Sequence, residues 1–174
     1  MARPWGLVTY HVLFVLEIST RRVHVAGIST NPDGAFMLQV ARNLTDALDG
    51  FLLEKRYLLL DRDGKYTKEF RTFLTDSGTN IVRLPVRSPN LNAYAERFVL
   101  SAKTECPDRM IFFTEASLRK TISSYLSHYH RERCHQGLGN RLIEPDENSP
   151  HATGRIRCRE RLGGLLRYYY RSAA

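Results

Sequence analysis

The chain has 174 residues, 43% of them apolar and 25% charged, with a formal net charge of +8 and a pI near 9.7. That size and apolar content support one hydrophobic core and exclude a disordered or fibrous chain. There is no apolar run of about 18 residues and no charged-then-apolar leader, so a soluble, untargeted cytoplasmic protein without membrane contact is expected.

The positive balance favours a polyanionic partner, because each neutralised phosphate releases condensed counterions. Residues 1–60 carry six basic and five acidic side chains, 61–144 fourteen and ten, and 145–174 six and three, so the excess lies beyond residue 60. Cys106, Cys134 and Cys158 form no CxxC pair, which suits reduced thiols rather than a disulfide framework.

Taken in order, Val12–Leu16 is a continuous apolar run expected to be a strand buried on both faces. Ser19–Arg22 is turn-prone and Val23–Ile28 returns as a second strand, giving a hairpin. Asn31-Pro32-Asp33-Gly34 breaks the chain before a helix predicted over about Ala35 to Leu48, with Phe36, Val40, Leu44 and Leu48 on one stripe. Leu58–Leu60 reads as a buried strand ending on Asp61, beside the turn dipeptide Asp63-Gly64. Thr67–Ser77 reads as a short helix with Phe70, Phe73 and Leu74 inward and Gly78 as its stop. Ile81–Leu84 is a further strand, closed by Pro85.

Asn90 or Asn92 is the candidate cap of the next helix, on which Glu96 and Lys103, seven positions apart, share a face. Thr114 is the candidate N-cap of a helix over about Glu115 to Arg133, with Leu118, Ile122, Tyr125, Leu126 and Tyr129 inward. This order of elements implies a mixed sheet covered by helices over residues 1–144, followed by a basic, Arg/Tyr-rich tail over 145–174. In the tail Arg155, Arg157, Arg159 and Arg161 alternate and share one face if the segment is extended. Two readings of it stay open: arginines on phosphates with tyrosines stacked on bases, or tyrosines packed on the tail's own domain. His128, His130, Cys134 and His135 raise zinc as a question, although paired ligand spacing is absent. The competing explanation is that His128, His130, Arg131 and Arg133, at a helix end, suit its negative pole.

Asp61 at a strand end and Glu96 on a helix thirty-five positions later are expected to converge on a divalent cation. Two-metal phosphoryl transfer needs such carboxylates, because paired Mg²⁺ or Mn²⁺ ions roughly 3.5–4 Å apart hold the attacking and leaving oxygens in line. Solvated surface acids are the competing reading.

The wording around these acids is specific. DRDGKYTKEF (61–70), RLPVRSPNLNAYAERF (83–98) and HYHRERCHQGLG (128–139) resemble, in order and spacing, the catalytic core of integrases and insertion-sequence DDE transposases. The resemblance runs from about Val12 to Leu138 and implies an α/β, ribonuclease-H-like fold, a mixed sheet flanked by helices. It also implies two aspartates and a glutamate that hold two Mg²⁺ or Mn²⁺ ions, which activate water and then a DNA 3′-hydroxyl against phosphodiesters. Asp61 resembles the second aspartate, with Asp63 as a second candidate, and Glu96 resembles the glutamate. Cys134 stands where the family has proline.

The first aspartate has no counterpart, because residues 1–11 contain no acid and Glu17 ends a strand resembling the family's second. The expectation is an N-terminally truncated copy, its first strand missing or replaced, weak or inactive in strand transfer. Lys65, Arg97, Lys103, Arg155, Arg157 and Arg159 are the expected nucleic-acid contacts. The expected partners are DNA, as transposon ends and target, and a second copy or a full-length transposase, with nucleoid association when DNA-bound. The alternative is a non-catalytic nucleic-acid-binding module that interferes or co-assembles with a full-length transposase. A third reading is a metal-binding or interaction protein built on His128–His135.

Overall fold

The computed structural model describes residues 8–85, 92–105, 114–145 and 154–172. Its elements run β1 (His11–Leu16), β2 (Val23–Ser29), α1 (Gly34–Leu44), β3 (Tyr57–Leu60), α2 (Lys68–Asp76), β4 (Asn80–Arg83), α3 (Ala93–Glu105), α4 (Glu115–Arg131), β5 (Ile156–Arg161) and β6 (Leu166–Arg171). The class is mixed α/β. The described strands pair two by two, β1 with β2, β3 with β4 and β5 with β6, rather than forming one continuous sheet. The chain divides into two compact units, Met1–Val15 with His24–Ala93 and Leu16–Val23 with Tyr94–Ala174.

In the first unit, Met37, Val40, Ala41 and Leu44 of α1 meet Leu58 and Leu60 of β3 and Phe70 and Leu74 of α2 in one core. Asp33 starts α1 by accepting the Phe36 N–H, and Thr67 starts α2 by accepting that of Phe70, so each helix has an orphan donor satisfied by its cap. Gly78, at φ +90, ends α2 in a left-handed conformation that a side chain would strain. α2 then carries the chain back so that β4 runs parallel to β3, Tyr57 opposite Asn80 through Leu60 opposite Arg83.

Two expectations need correction here. β1, expected to be buried on both faces, has no fully buried residue, and β3, expected to be buried, buries Leu58 and Leu60 but leaves Leu59 exposed. Helix α1 stops at Leu44, four residues early, and Leu48 is 92% exposed. The cause is local: Asp46 accepts the Leu48 N–H through its side chain, and the chain doubles back until the Leu52 N–H reaches the Leu44 carbonyl. Leu52 thereby fills the core position that Leu48 was expected to take.

In the second unit, α4 begins with a reciprocal capping box between Thr114 and Ser117. It ends at Arg131, two residues before the predicted boundary. Its buried stripe is Leu118, Thr121, Tyr125, Tyr129 and His130, with Ile122 and Leu126 only half-buried. Phe98 of α3 packs its ring on Tyr125 and Tyr129 at centroid distances of 6.3 and 5.2 Å. Of the two cap candidates for α3, Asn90 lies outside the described residues and Asn92 directly precedes the helix.

The tail folds as an antiparallel hairpin, Ile156 opposite Arg171 through Arg161 opposite Leu166, and Leu166 is buried. Its reversal uses positive φ at Leu162, Gly163 and Gly164. Part of the preceding linker, 146–153, lies outside the described residues.

Candidate functional site

Asp61 follows directly on β3, where the strand's pairing with β4 ends and its side chain is exposed. Its Oδ1 accepts the Asp63 N–H at 3.0 Å, and Asp63 Oδ1 in turn accepts the Lys65 N–H at 3.0 Å, two Asx turns in succession. The Asp63 carboxylate also meets the Lys65 ammonium at 2.6 Å, and these contacts with Lys65 hold its carboxyl below the ordinary range. Asp63 is therefore committed to Lys65, whereas Asp61 has one oxygen engaged by backbone. Arg62 Nε donates to the Leu84 carbonyl at 3.0 Å and ties the loop to the end of β4. Tyr66 closes the loop's inner side. Burial, then the charges of Asp61 and Asp63, push its phenol up to about 12.

Glu96 lies in the first turn of α3, where a carboxylate complements the positive end of the helix. Glu96, Arg97, Leu100 and Lys103 are all exposed, while Phe98 carries the buried face. Beside that helix start, the Arg21 guanidinium sits 3.6 Å from the Tyr94 ring centroid. Asp61 belongs to the first unit, and Glu96 with Lys103 to the second.

The histidines each face a different partner. His128 Nδ1 is 3.0 Å from Glu132 Oε2, His130 Nε2 accepts the Val23 N–H at 3.1 Å, and His135 Nε2 donates to the Tyr129 carbonyl at 2.8 Å. Burial lowers the pKa of both His130 and His135, which keeps the acceptor nitrogen of His130 unprotonated. Among the described residues no three His, Cys, Asp or Glu side chains are placed to hold a metal ion, so the zinc question has no geometric support there.

The residue that sequence reasoning missed is Glu132, at the C-terminal cap of α4. Arg161 donates to both its oxygens, at 2.7 Å from Nη2 and 2.9 Å from Nε, and Arg159 adds a contact at 3.1 Å. Burial raises the carboxyl, but the hydrogen bonds from Arg161, His128 and Arg159 outweigh it and hold the pKa at about 2. The available signal was an acid at the negative end of a helix, a placement that asks for a cation from elsewhere. Of the tail arginines named as nucleic-acid contacts, Arg159 is thus held by Glu132, while Arg155 and Arg157 are exposed.

No described helix is long and apolar enough to cross a membrane. Comparison with curated proteins and with solved structures found no match. Residues 77–142 match the family model described as integrase core domain, a span that holds β4, α3 with Glu96, α4 and the His128–Gly139 segment, and that begins downstream of Asp61.

Proposed function

We propose that this chain is a transposase- or integrase-type DNA recombination protein of ribonuclease-H-like fold, with Asp61 and Glu96 as the carboxylates that hold Mg²⁺ or Mn²⁺ against a DNA phosphodiester. The observation that carries the reading is the integrase-core match over residues 77–142, which contains Glu96. The donor chemistry fits a hard cation: both carboxylates are exposed, and Asp61 keeps Oδ2 clear of its backbone contact. Such ions, when bound, supply Lewis acidity for attack on phosphorus, first by water and then by a 3′-hydroxyl. Lys103, on the face of α3 that carries Glu96, would neutralise a phosphate, and the adjacent Arg97 would do the same. Asp61 is preferred to Asp63 because the latter's charge is already matched by Lys65.

The second reading, a DNA-binding module without turnover, draws on the exposed Arg155 and Arg157. Nicking and end-joining assays with Mg²⁺ and Mn²⁺, run beside gel-shift binding, separate the two. Turnover lost in Asp61→Ala and Glu96→Ala but kept in Asp63→Asn supports the catalytic assignment. Salt-sensitive binding without turnover selects the module, and absence of both binding and turnover refutes either reading.

A further inference from the structure

The alternation that placed Arg155, Arg157, Arg159 and Arg161 on one face also defines the opposite face, and the ladder register says what stands there. Cys158 is opposite Tyr169, Ile156 opposite Arg171 and Glu160 opposite Arg167, so these six share a surface. The inner face carries Arg159 and Arg161, which Glu132 holds, and the buried Leu166, while Arg157 on it is exposed. Tyr168 and Tyr170 belong to that inner face, with ring centroids 5.8 Å apart and an interplanar angle of 12°. Tyr169 is left outward, 63% exposed, next to an Ile156 that is 66% exposed.

We infer that this outward face binds single-stranded nucleic acid, with Tyr169 as the stacking residue. Arg167 and Arg171 lie on the same face about 7 Å to either side of Tyr169 along the strand, placed to meet phosphates of a strand whose base covers the ring. Arg167 pairs with Glu160 at 3.2 Å, an exposed ion pair that phosphate can replace, and Arg171 donates one N–H to the Gly154 carbonyl. Charge selects the occupant: the outward face carries Arg167 and Arg171 against the single acid Glu160, which favours a polyanion over an apolar protein surface. The strand must be unpaired, because stacking on Tyr169 needs an open base face, which a duplex covers with its neighbouring pairs.

This platform shares a nucleic-acid partner with the proposed function but does not depend on Asp61 or Glu96. The test is fluorescence anisotropy of the full chain with a labelled thymidine oligonucleotide, in a metal chelator. Tyr169→Ala is expected to weaken binding roughly 5- to 100-fold, and Tyr169→Phe to preserve it. Because Tyr169 is exposed, both variants should melt like the parent, which circular dichroism checks. Unchanged affinity in Tyr169→Ala, or a duplex of the same length bound as tightly, overturns the inference. Self-association of the chain that Tyr169→Ala abolishes would give the face to a second copy and also overturn it. Tyr169-dependent binding without metal-dependent cleavage would uphold the platform and count against the catalytic reading alone.

Discussion

Replacing Glu132 with Gln tests whether the C-terminal hairpin is held by one buried carboxylate. The Glu132 side chain is 1% exposed, while those of Arg159 and Arg161 are 44% and 22% exposed. A carboxyl held at about 2 in the folded chain, against an ordinary 4.5, corresponds to about 3 kcal/mol of stability. That is an upper figure, since water reaches Arg159. Its sign is that of a depressed acid: the contribution is full above 4.5 and is lost as pH falls toward 2, with about 2 kcal/mol gone by pH 3. Gln keeps the volume and removes the charge, so both arginines lose their counterion and partly rehydrate. A two-stranded hairpin alone is marginal in water, so undocking should expose its amides. Amide hydrogen exchange at pH 7 is expected to show β5 and β6 protection falling roughly 30- to 150-fold in Glu132→Gln, the equivalent of about 2–3 kcal/mol. The gap between parent and variant should narrow toward pH 3. A gap that is absent at pH 7, or equally wide at both values after correction for intrinsic rates, would refute the reasoning.

Two further outcomes are expected. His130 accepts the Val23 N–H as a neutral ring with its pKa lowered by burial, so its contribution is present above 6.5 and is lost as pH falls below that value. The melting temperature should therefore drop between about pH 7 and pH 5 by more in the parent than in His130→Gln, whose amide oxygen accepts the same bond without titrating; parallel curves would contradict this. Thr114→Ala removes the capping box of α4 and should lower stability by about 1 kcal/mol, with Thr114→Ser close to the parent, read as a shift in urea midpoint. An alanine variant with an unmoved midpoint would show that the packed Tyr125–Tyr129 face alone sets the helix start.

The local grammar of the chain was legible. Thr67, Thr114 and Gly78 punctuate helices where their chemistry predicts, and the β3–α2–β4 order emerges as a parallel pair. Burial was less legible, because a run such as Leu58–Leu60 is equally apolar whether one face or both are covered. Periodicity likewise overran α1, since Leu48 keeps the four-residue spacing while Thr45 and Asp46 redirect the backbone. At the candidate site, only geometry reveals that Lys65 turns onto Asp63. Glu132 was hidden because its arginine partners are 27 and 29 residues away, beyond any local pattern. In the tail, alternation put Arg159 and Arg161 on one face, and nothing in it could say that Glu132 holds both.

The hairpin formed by β1 and β2 has its tip, Leu16–Val23, assigned to the second unit, and the Val23 N–H meets an acceptor 107 residues later. On a ribosome adding about 5–20 residues per second, that amide waits roughly 5–20 s for its imidazole. The early half of the nascent chain can collapse around α1 and α2 in that interval, but its leading loop stays unfinished until α4 emerges. A cut between residues 93 and 94 therefore parts the Leu16–Val23 loop from the imidazole it meets, and a dissection that keeps that contact has to carry the loop with the later half.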